Sequence, residues 1–342
     1  MKKITTLLLL ISCISVFAQT TDKEATKNKF SFSGSIDAYF RTNLNADGNA
    51  APGSSFANLP GFALGMANII ASYEGEKVGF VADLVYGPRG TDAIFASPMY
   101  SATGNIINQL YAYWNVSEAV KLTFGNFNTF LGYEVISPTG NFNYSTSYLF
   151  SYGPFSHTGL KADFALSDDF SLMLAVMNPT DATEFNSTGK YAFGAQLGYA
   201  GQYLNFLTDD GAFEIDYTGG FDVSENFFLG INAALYDSGD DSDSGFAGLA
   251  LYPQLTTSET VTIGLRGEYF KQTGNFDAIG TGIESSVFAA TLSANIKIGD
   301  LTLIPELRLD SSSDESAYFF DKDMMAQKSL SSFVLAAVYK FE

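Results

Sequence analysis

Ser332-Phe333-Val334-Leu335-Ala336-Ala337-Val338-Tyr339-Lys340-Phe341, one residue short of the chain's end, decides the fold. In an extended strand successive side chains point to opposite sides, so Phe333, Leu335, Ala337, Tyr339 and Phe341 share one face and Ser332, Val334, Ala336, Val338 and Lys340 the other. The same two-residue period returns upstream. Val261, Ile263, Leu265 and Tyr269 oppose Thr262, Gly264, Arg266 and Glu268, while Leu301, Leu303, Leu307 and Leu309 oppose Thr302, Glu306, Arg308 and Asp310. Strands of this kind suit a wall with hydrocarbon on one side and water on the other.

Composition separates that wall from an ordinary soluble sheet. Aromatic residues make up 15% of the chain and charged residues only 16%, against about 25% charged in soluble domains. Beyond the N-terminus no apolar run reaches the ~18 residues that mark a spanning helix. Inside a bilayer every backbone N–H and C=O must find a partner, which leaves a closed barrel as the spanning structure.

Candidate strands fall near 29–42, 60–75, 76–87, 105–116, 119–130, 157–166, 169–178, 190–200, 202–208, 212–222, 225–237, 245–254, 259–271, 284–298, 299–310 and 329–341. The fold expected is all-β, a transmembrane antiparallel up-and-down barrel of about sixteen strands. A range of fourteen to eighteen stays open, the alternation over 202–208 being the faintest. Links alternate between short turns, such as Ser167–Asp168 and Gly299–Asp300, and longer connections, as at 43–59, 88–104, 131–156 and 311–328; Asp209–Gly211 is the short exception. With both termini periplasmic, the long links lie outside the cell. Pro305 within a strand predicts a bulge or a locally unpaired site.

Met1-Lys2-Lys3 followed by an apolar run to Phe17 reads as a signal peptide over 1–18, cleaved after Ala18. The alternative takes Leu10-Ile11-Ser12-Cys13 as a lipoprotein signal with Cys13 as the lipidated end. Residues 19–28 read as a periplasmic lead-in and 29–342 as the barrel. If the signal leaves, no cysteine remains, which excludes disulfides, a thiolate nucleophile and a Cys-ligated metal site. The formal charge of −19, or −21 without Lys2 and Lys3, argues against nucleic acid as a partner.

The run Gly132-Tyr133-Glu134-Val135-Ile136, then Asn143-Tyr144-Ser145-Thr146-Ser147-Tyr148-Leu149-Phe150 and His157-Thr158-Gly159-Leu160-Lys161-Ala162, resembles the OmpL-like outer-membrane β-barrel porins. Gly75-Glu76-Lys77-Val78-Gly79-Phe80 and Gly87-Pro88-Arg89-Gly90 add to it. The distinctive motifs precede residue 165. The resemblance implies a porin fold in the bacterial outer membrane and passive permeation, and it supplies no substrate. The final strand also resembles the signal read by barrel-assembly machinery, with Glu342 an added residue after Phe341.

On this register the residues facing the lumen include Asp37, Arg41, Asp83, Gln109, Lys121, Lys161, Asp163, Glu214, Asp216, Arg266, Glu268, Lys297, Glu306, Arg308 and Lys340, with seven acids and seven bases. The excess negative charge then sits in links, as at Asp237, Asp240, Asp241 and Asp243 or Asp310, Asp314, Glu315, Asp321 and Asp323. An acidic outer mouth over a nearly neutral lumen predicts a mild cation preference. The bland counterpart is structural, since cross-strand ion pairs fill any wet barrel interior. The Asp-rich links lack the twelve-residue spacing of a Ca²⁺ loop, so no metal or cofactor is expected.

The longest link, Leu131–Ser156, is rich in Tyr, Phe, Asn and Ser. It is the candidate constriction loop, with Tyr133, Glu134, Tyr144 and Tyr148 as its key residues, either touching solutes or packing on the wall. The single histidine, His157, adjoins Ser156, yet neighbouring strand residues point apart and cannot converge as nucleophile and base. The expected function is passive diffusion of small hydrophilic solutes or ions. A non-conducting barrel acting as adhesin or receptor, and an outer-membrane hydrolase, follow in that order. Outer-membrane lipids are the expected surroundings, and a homo-oligomer is left open.

Overall fold

Lys29–Asn43 forms β1, which pairs on one side with β2 (Gly61–Glu74) and on the other with the last strand, β16 (Ala326–Phe341), from Gly34 opposite Phe341 to Asn43 opposite Ser332. Between them run β3 (Val78–Tyr86), β4 (Ile107–Asn115), β5 (Val120–Asn128), β6 (Ser156–Ala165), β7 (Phe170–Met177), β8 (Ala192–Tyr199) and β9 (Gln202–Asp209). Then follow β10 (Ala212–Ser224), β11 (Phe227–Asp237), β12 (Gly245–Ser258), β13 (Val261–Thr273), β14 (Ser286–Ile298) and β15 (Leu301–Phe320). The computed structural model describes residues 29–94, 106–240, 243–282 and 284–342. Its sixteen antiparallel strands, each paired with its sequence neighbours, close into one barrel and leave no free edge.

Side chains sort as the alternation requires. On β13, Ile263, Leu265 and Tyr269 face outward while Arg266, Glu268 and Gln272 are completely buried inside. On β15, Leu307 and Leu309 face outward while Glu306, Arg308 and Asp310 are buried. The outward band extends around the barrel through residues such as Phe62, 91% exposed, and Phe124, 71% exposed. Such contiguous apolar surface suits lipid and would be a liability in water.

The expected segment 202–208 is a strand of its own, paired to β8 and β10. The expected long link at 311–328 differs: β15 runs on to Phe320, β16 begins at Ala326, and the two are joined by a turn in which Asp321 N donates to Met325 O at 2.9 Å. Ser312, Ser316 and Phe319 are buried inside this extension, and Ser316 Oγ donates to the Ile279 carbonyl of the neighbouring link. The run Ser311-Ser312-Ser313-Asp314-Glu315-Ser316 looks like a loop, but contacts with that link hold it extended. Asp310, read both as the end of a strand's polar face and among the link acids, lies inside the barrel on that polar face, and Asp314 and Glu315 belong to the strand rather than to a link.

Pro305 stays in register with Leu335 of β16. On its other side the β14–β15 ladder passes from the Ser293–Glu306 pair to the Ile296–Leu303 pair with no register shift. The site is locally unpaired rather than bulged, since proline lacks the N–H that a ladder bond needs. The signal peptide and lead-in over 1–28, most of the 88–104 link, and Asp241 lie outside the described residues.

Candidate functional site

The link from β5 to β6 does not stay at the rim. Gly132 N donates to Asp216 of β10 at 3.0 Å, and Tyr144 N and Ser145 N donate to Glu306 of β15 at 2.9 and 3.2 Å. Tyr148 N and Leu149 N donate to Glu268 of β13 at 3.0 and 2.8 Å. The carbonyls of Ser145 and Thr146 accept from Arg266 at 2.6 Å and Arg308 at 2.9 Å. A chain that leaves β5, returns at β6 and bonds to the inner faces of β10, β13 and β15 crosses the lumen. A backbone buried there must have its polar groups paired. Wall carboxylates take its N–H groups and wall arginines take its carbonyls.

Within the crossing, Glu134 pairs with Arg266 at 2.7 Å, both side chains essentially buried, and takes the Ser147 backbone N–H at 2.7 Å and its hydroxyl. Two short helices lie in the links, α1 (Pro88–Ala93) between β3 and β4 and α2 (Tyr148–Tyr152) in the crossing, where Ser147 Oγ accepts the Phe150 N–H and caps α2. The tyrosines pack rather than project into open space. Tyr144 and Tyr148 are 1% and 0% exposed, and Tyr133 stacks on Tyr252 of β12 with centroids 4.3 Å apart. Wall glycines make room for them: a Cβ on Gly230 would lie 2.4 Å from Tyr133 Oη, and one on Gly264 equally close to the Phe142 ring.

Two water-accessible chambers flank the crossing. The outer one, about 840 Å³, lies among the long links and the outer ends of β9–β11. The inner one, about 480 Å³, lies beside the short turns at Glu74–Lys77 and Ser117–Glu118. An apolar cluster that includes Phe127, Leu131, Met173, Met177 and Leu207 lies between them: Leu207 lines the outer chamber and Met173 the inner.

The inward residues named from sequence divide by location. Asp216, Arg266, Glu268, Glu306 and Arg308 hold the crossing backbone, and Asp37 accepts from Tyr144 Oη at 2.5 Å. Arg308 also makes a buried pair with Asp310 at 2.8 Å, so both its partners are local or on the loop. Arg41 donates to the Ala50 carbonyl at 3.1 Å and fastens the first long link. Asp83 gathers Asn68, Asn108 and Gln109. Lys121 lies 3.9 Å over the Tyr113 ring and, with Asp163, lines the inner chamber; Lys161 is 3.7 Å from Asp163. Lys297 and Lys340 sit at the inner rim, the latter paired with Glu342. Glu214 lines the outer chamber.

Sequence reasoning passed over Arg89. It is buried, donates to the carbonyls of Ile136 at 2.7 Å and Tyr144 at 3.1 Å, and lies over the Phe56 ring at 4.5 Å. Its only signal is the Gly87-Pro88-Arg89-Gly90 run quoted for the resemblance, in which Arg89 is the one basic residue of the link. Asp92, Asp181 and Asp209, which line the outer chamber, were passed over too, because nothing local distinguishes them from other link acids. His157 is buried, and its Nε2 bonds Thr129 Oγ1 at 3.0 Å rather than Ser156. Among the described residues no cluster of three or more His, Cys, Asp or Glu is arranged to hold a metal ion.

The closed barrel with a loop drawn through its lumen is the architecture of a porin. The family described as "Putative beta-barrel porin-2, OmpL-like" matches residues 29–341, and the chain belongs to that family of outer-membrane barrels. No functionally curated relative matches it. Among solved structures it is similar to the outer membrane channel DcaP of Acinetobacter baumannii, with 12% identity, TM-score 0.60, and 94% of this chain and 100% of that one covered. The anion-selective porin from Comamonas acidovorans gives 12%, 0.59, 92% and 100%, and Salmonella typhi OmpF in complex with daunomycin gives 13%, 0.62, 92% and 98%. At these identities the likeness is one of fold.

Proposed function

We propose that this protein is a diffusion porin that passes small hydrophilic solutes or ions across the outer membrane, with a mild preference for cations. The observation that carries the reading is the loop crossing: its backbone bonds to wall acids and arginines narrow the lumen while a chamber remains open on each side. Membership in a porin family supports permeation over adhesion or hydrolysis. The cation preference rests on the outer chamber, lined by Asp92, Asp181, Asp209, Asp210 and Glu214 and by no lysine or arginine among the described residues. Carboxylates lining one mouth raise the local concentration of cations. The inward residues named from sequence line or narrow this route, those on the crossing loop by positioning it. Export by a signal peptide cleaved after Ala18 belongs to the same reading, as do assembly by barrel-folding machinery and association into a homo-oligomer.

The test is single-channel recording of the mature protein in a planar bilayer under a KCl gradient. Stable steps and a reversal potential on the cation side support the proposal. Steps with anion preference would remove the selectivity. A folded barrel with no conductance would remove permeation and leave a surface barrel displaying loops.

A further inference from the structure

The outer chamber has a feature that bulk ion flow does not require. Glu214, 5% exposed, lines it from the inner face of β10, and its carboxylate has no hydrogen bond or ion pair among the described residues. Of the other acids lining it, Asp209 accepts Thr180 N at 2.7 Å, Asp181 accepts Phe155 N and Ser156 N at 2.8 Å each, and Asp210 pairs with Lys190, while Asp92 is exposed to solvent. Its oxygens open onto the chamber with no protein group among the described residues bonded to them, so an incoming cation would meet an unoccupied acceptor at Glu214.

The rest of the chamber wall narrows what that cation is. Tyr152, Tyr236 and Phe276 form an aromatic side, with Phe276 5.5 Å from the Tyr152 ring and 6.0 Å from that of Tyr236. Aromatic faces attract organic ammonium and guanidinium groups. A volume of about 840 Å³ holds a ring-bearing molecule rather than a bare ion. The acids are not gathered as a metal site would need. Tyr152 Oη is already committed to the carbonyls of Gly53 at 2.7 Å and Ala278 at 2.9 Å, which fixes the ring that a ligand would meet.

We infer that the outer chamber is a binding site for small organic cations, with Glu214 as the counter-ion and the Tyr152–Tyr236–Phe276 wall as the apolar seat. This deepens the cation preference proposed above and rests on that reading, but binding is measured without any ion flow. The experiment is calorimetric titration of the full mature chain, folded in detergent micelles, with benzylammonium, benzyl alcohol and benzenesulfonate. Saturable benzylammonium binding is expected, with benzyl alcohol weaker by about tenfold or more, the worth of one charge-assisted contact, and no binding of benzenesulfonate. Glu214→Gln should bring benzylammonium down to the level of the alcohol, and Phe276→Ala should weaken both aromatic ligands. Equal binding of ammonium and alcohol, binding of the sulfonate, or a folded Glu214→Gln protein with unchanged affinity would overturn the site. Should that variant not fold, the three ligands on the native protein decide, and Asp92→Asn, at an exposed position of α1, supplies a second charge removal, expected to weaken benzylammonium alone. If titration succeeds and the bilayer stays silent, the site stands while free permeation fails; conductance without binding gives the reverse.

Discussion

At the residue scale, the same side chains act as wall and as fastener. Glu268 and Glu306 read from sequence as lumen charges because they alternate with leucine and tyrosine, and the alternation does place them inside. Their partners could not be read, because Tyr144, Ser145, Tyr148 and Leu149 lie more than a hundred residues away and donate through backbone atoms that carry no sequence signal. Arg266 shows the energetic side. Replacing it with methionine strands Glu134 in a buried site, at about 3–5 kcal/mol for the orphaned partner of a buried pair, and urea denaturation in detergent should show that loss. Asp181 supplies a pH test. Burial pushes its carboxyl up to about 6 against the pull of the Phe155 and Ser156 N–H groups. A raised carboxyl means the folded state holds the proton more tightly, so its stabilising effect is full below the ordinary value near 3.8 and is lost as pH rises through about 6. In the same window the ionising group adds negative charge to the outer chamber. The cation-to-anion permeability ratio should therefore rise between about pH 5 and 7, and Asp181→Asn should flatten that step.

At the element scale, the barrel strands were legible and the links were not. A two-residue period is a local property, so every strand was found within a few residues except the outer extension of β15, where a serine-rich run is held extended by its neighbours. The crossing loop was legible only as a long aromatic link; its seat on Gly230 and Gly264 depends on strands far away in sequence. If wall carboxylates hold the loop, the double variant Glu268→Ala, Glu306→Ala should release it. The expected result is a larger and noisier unitary conductance from a barrel that still migrates as folded before heating. Conductance equal to the parent would mean that the apolar contacts of Tyr148 and Leu149 suffice to hold the loop in place.

At the scale of the whole molecule, one side of the wall meets hydrocarbon and the other meets the loop and the chambers. The single tryptophan, Trp114 on β4, is half exposed on the outward face and reports this directly. Its emission should be quenched by brominated lipid chains and insensitive to iodide in the buffer; the reverse would place β4 away from lipid. Net acidity was plain from composition, but its concentration around one chamber was not, since Asp92 of α1, Asp181 of the β7–β8 link and the β9–β10 hairpin that carries Asp209 and Glu214 come together only when these three segments meet at one end of the barrel. The most direct test of the central claim is the current through single molecules of the mature protein in a planar bilayer under a salt gradient. Discrete open steps with a cation-side reversal potential are the expected result; a correctly folded barrel that passes no ions would contradict it.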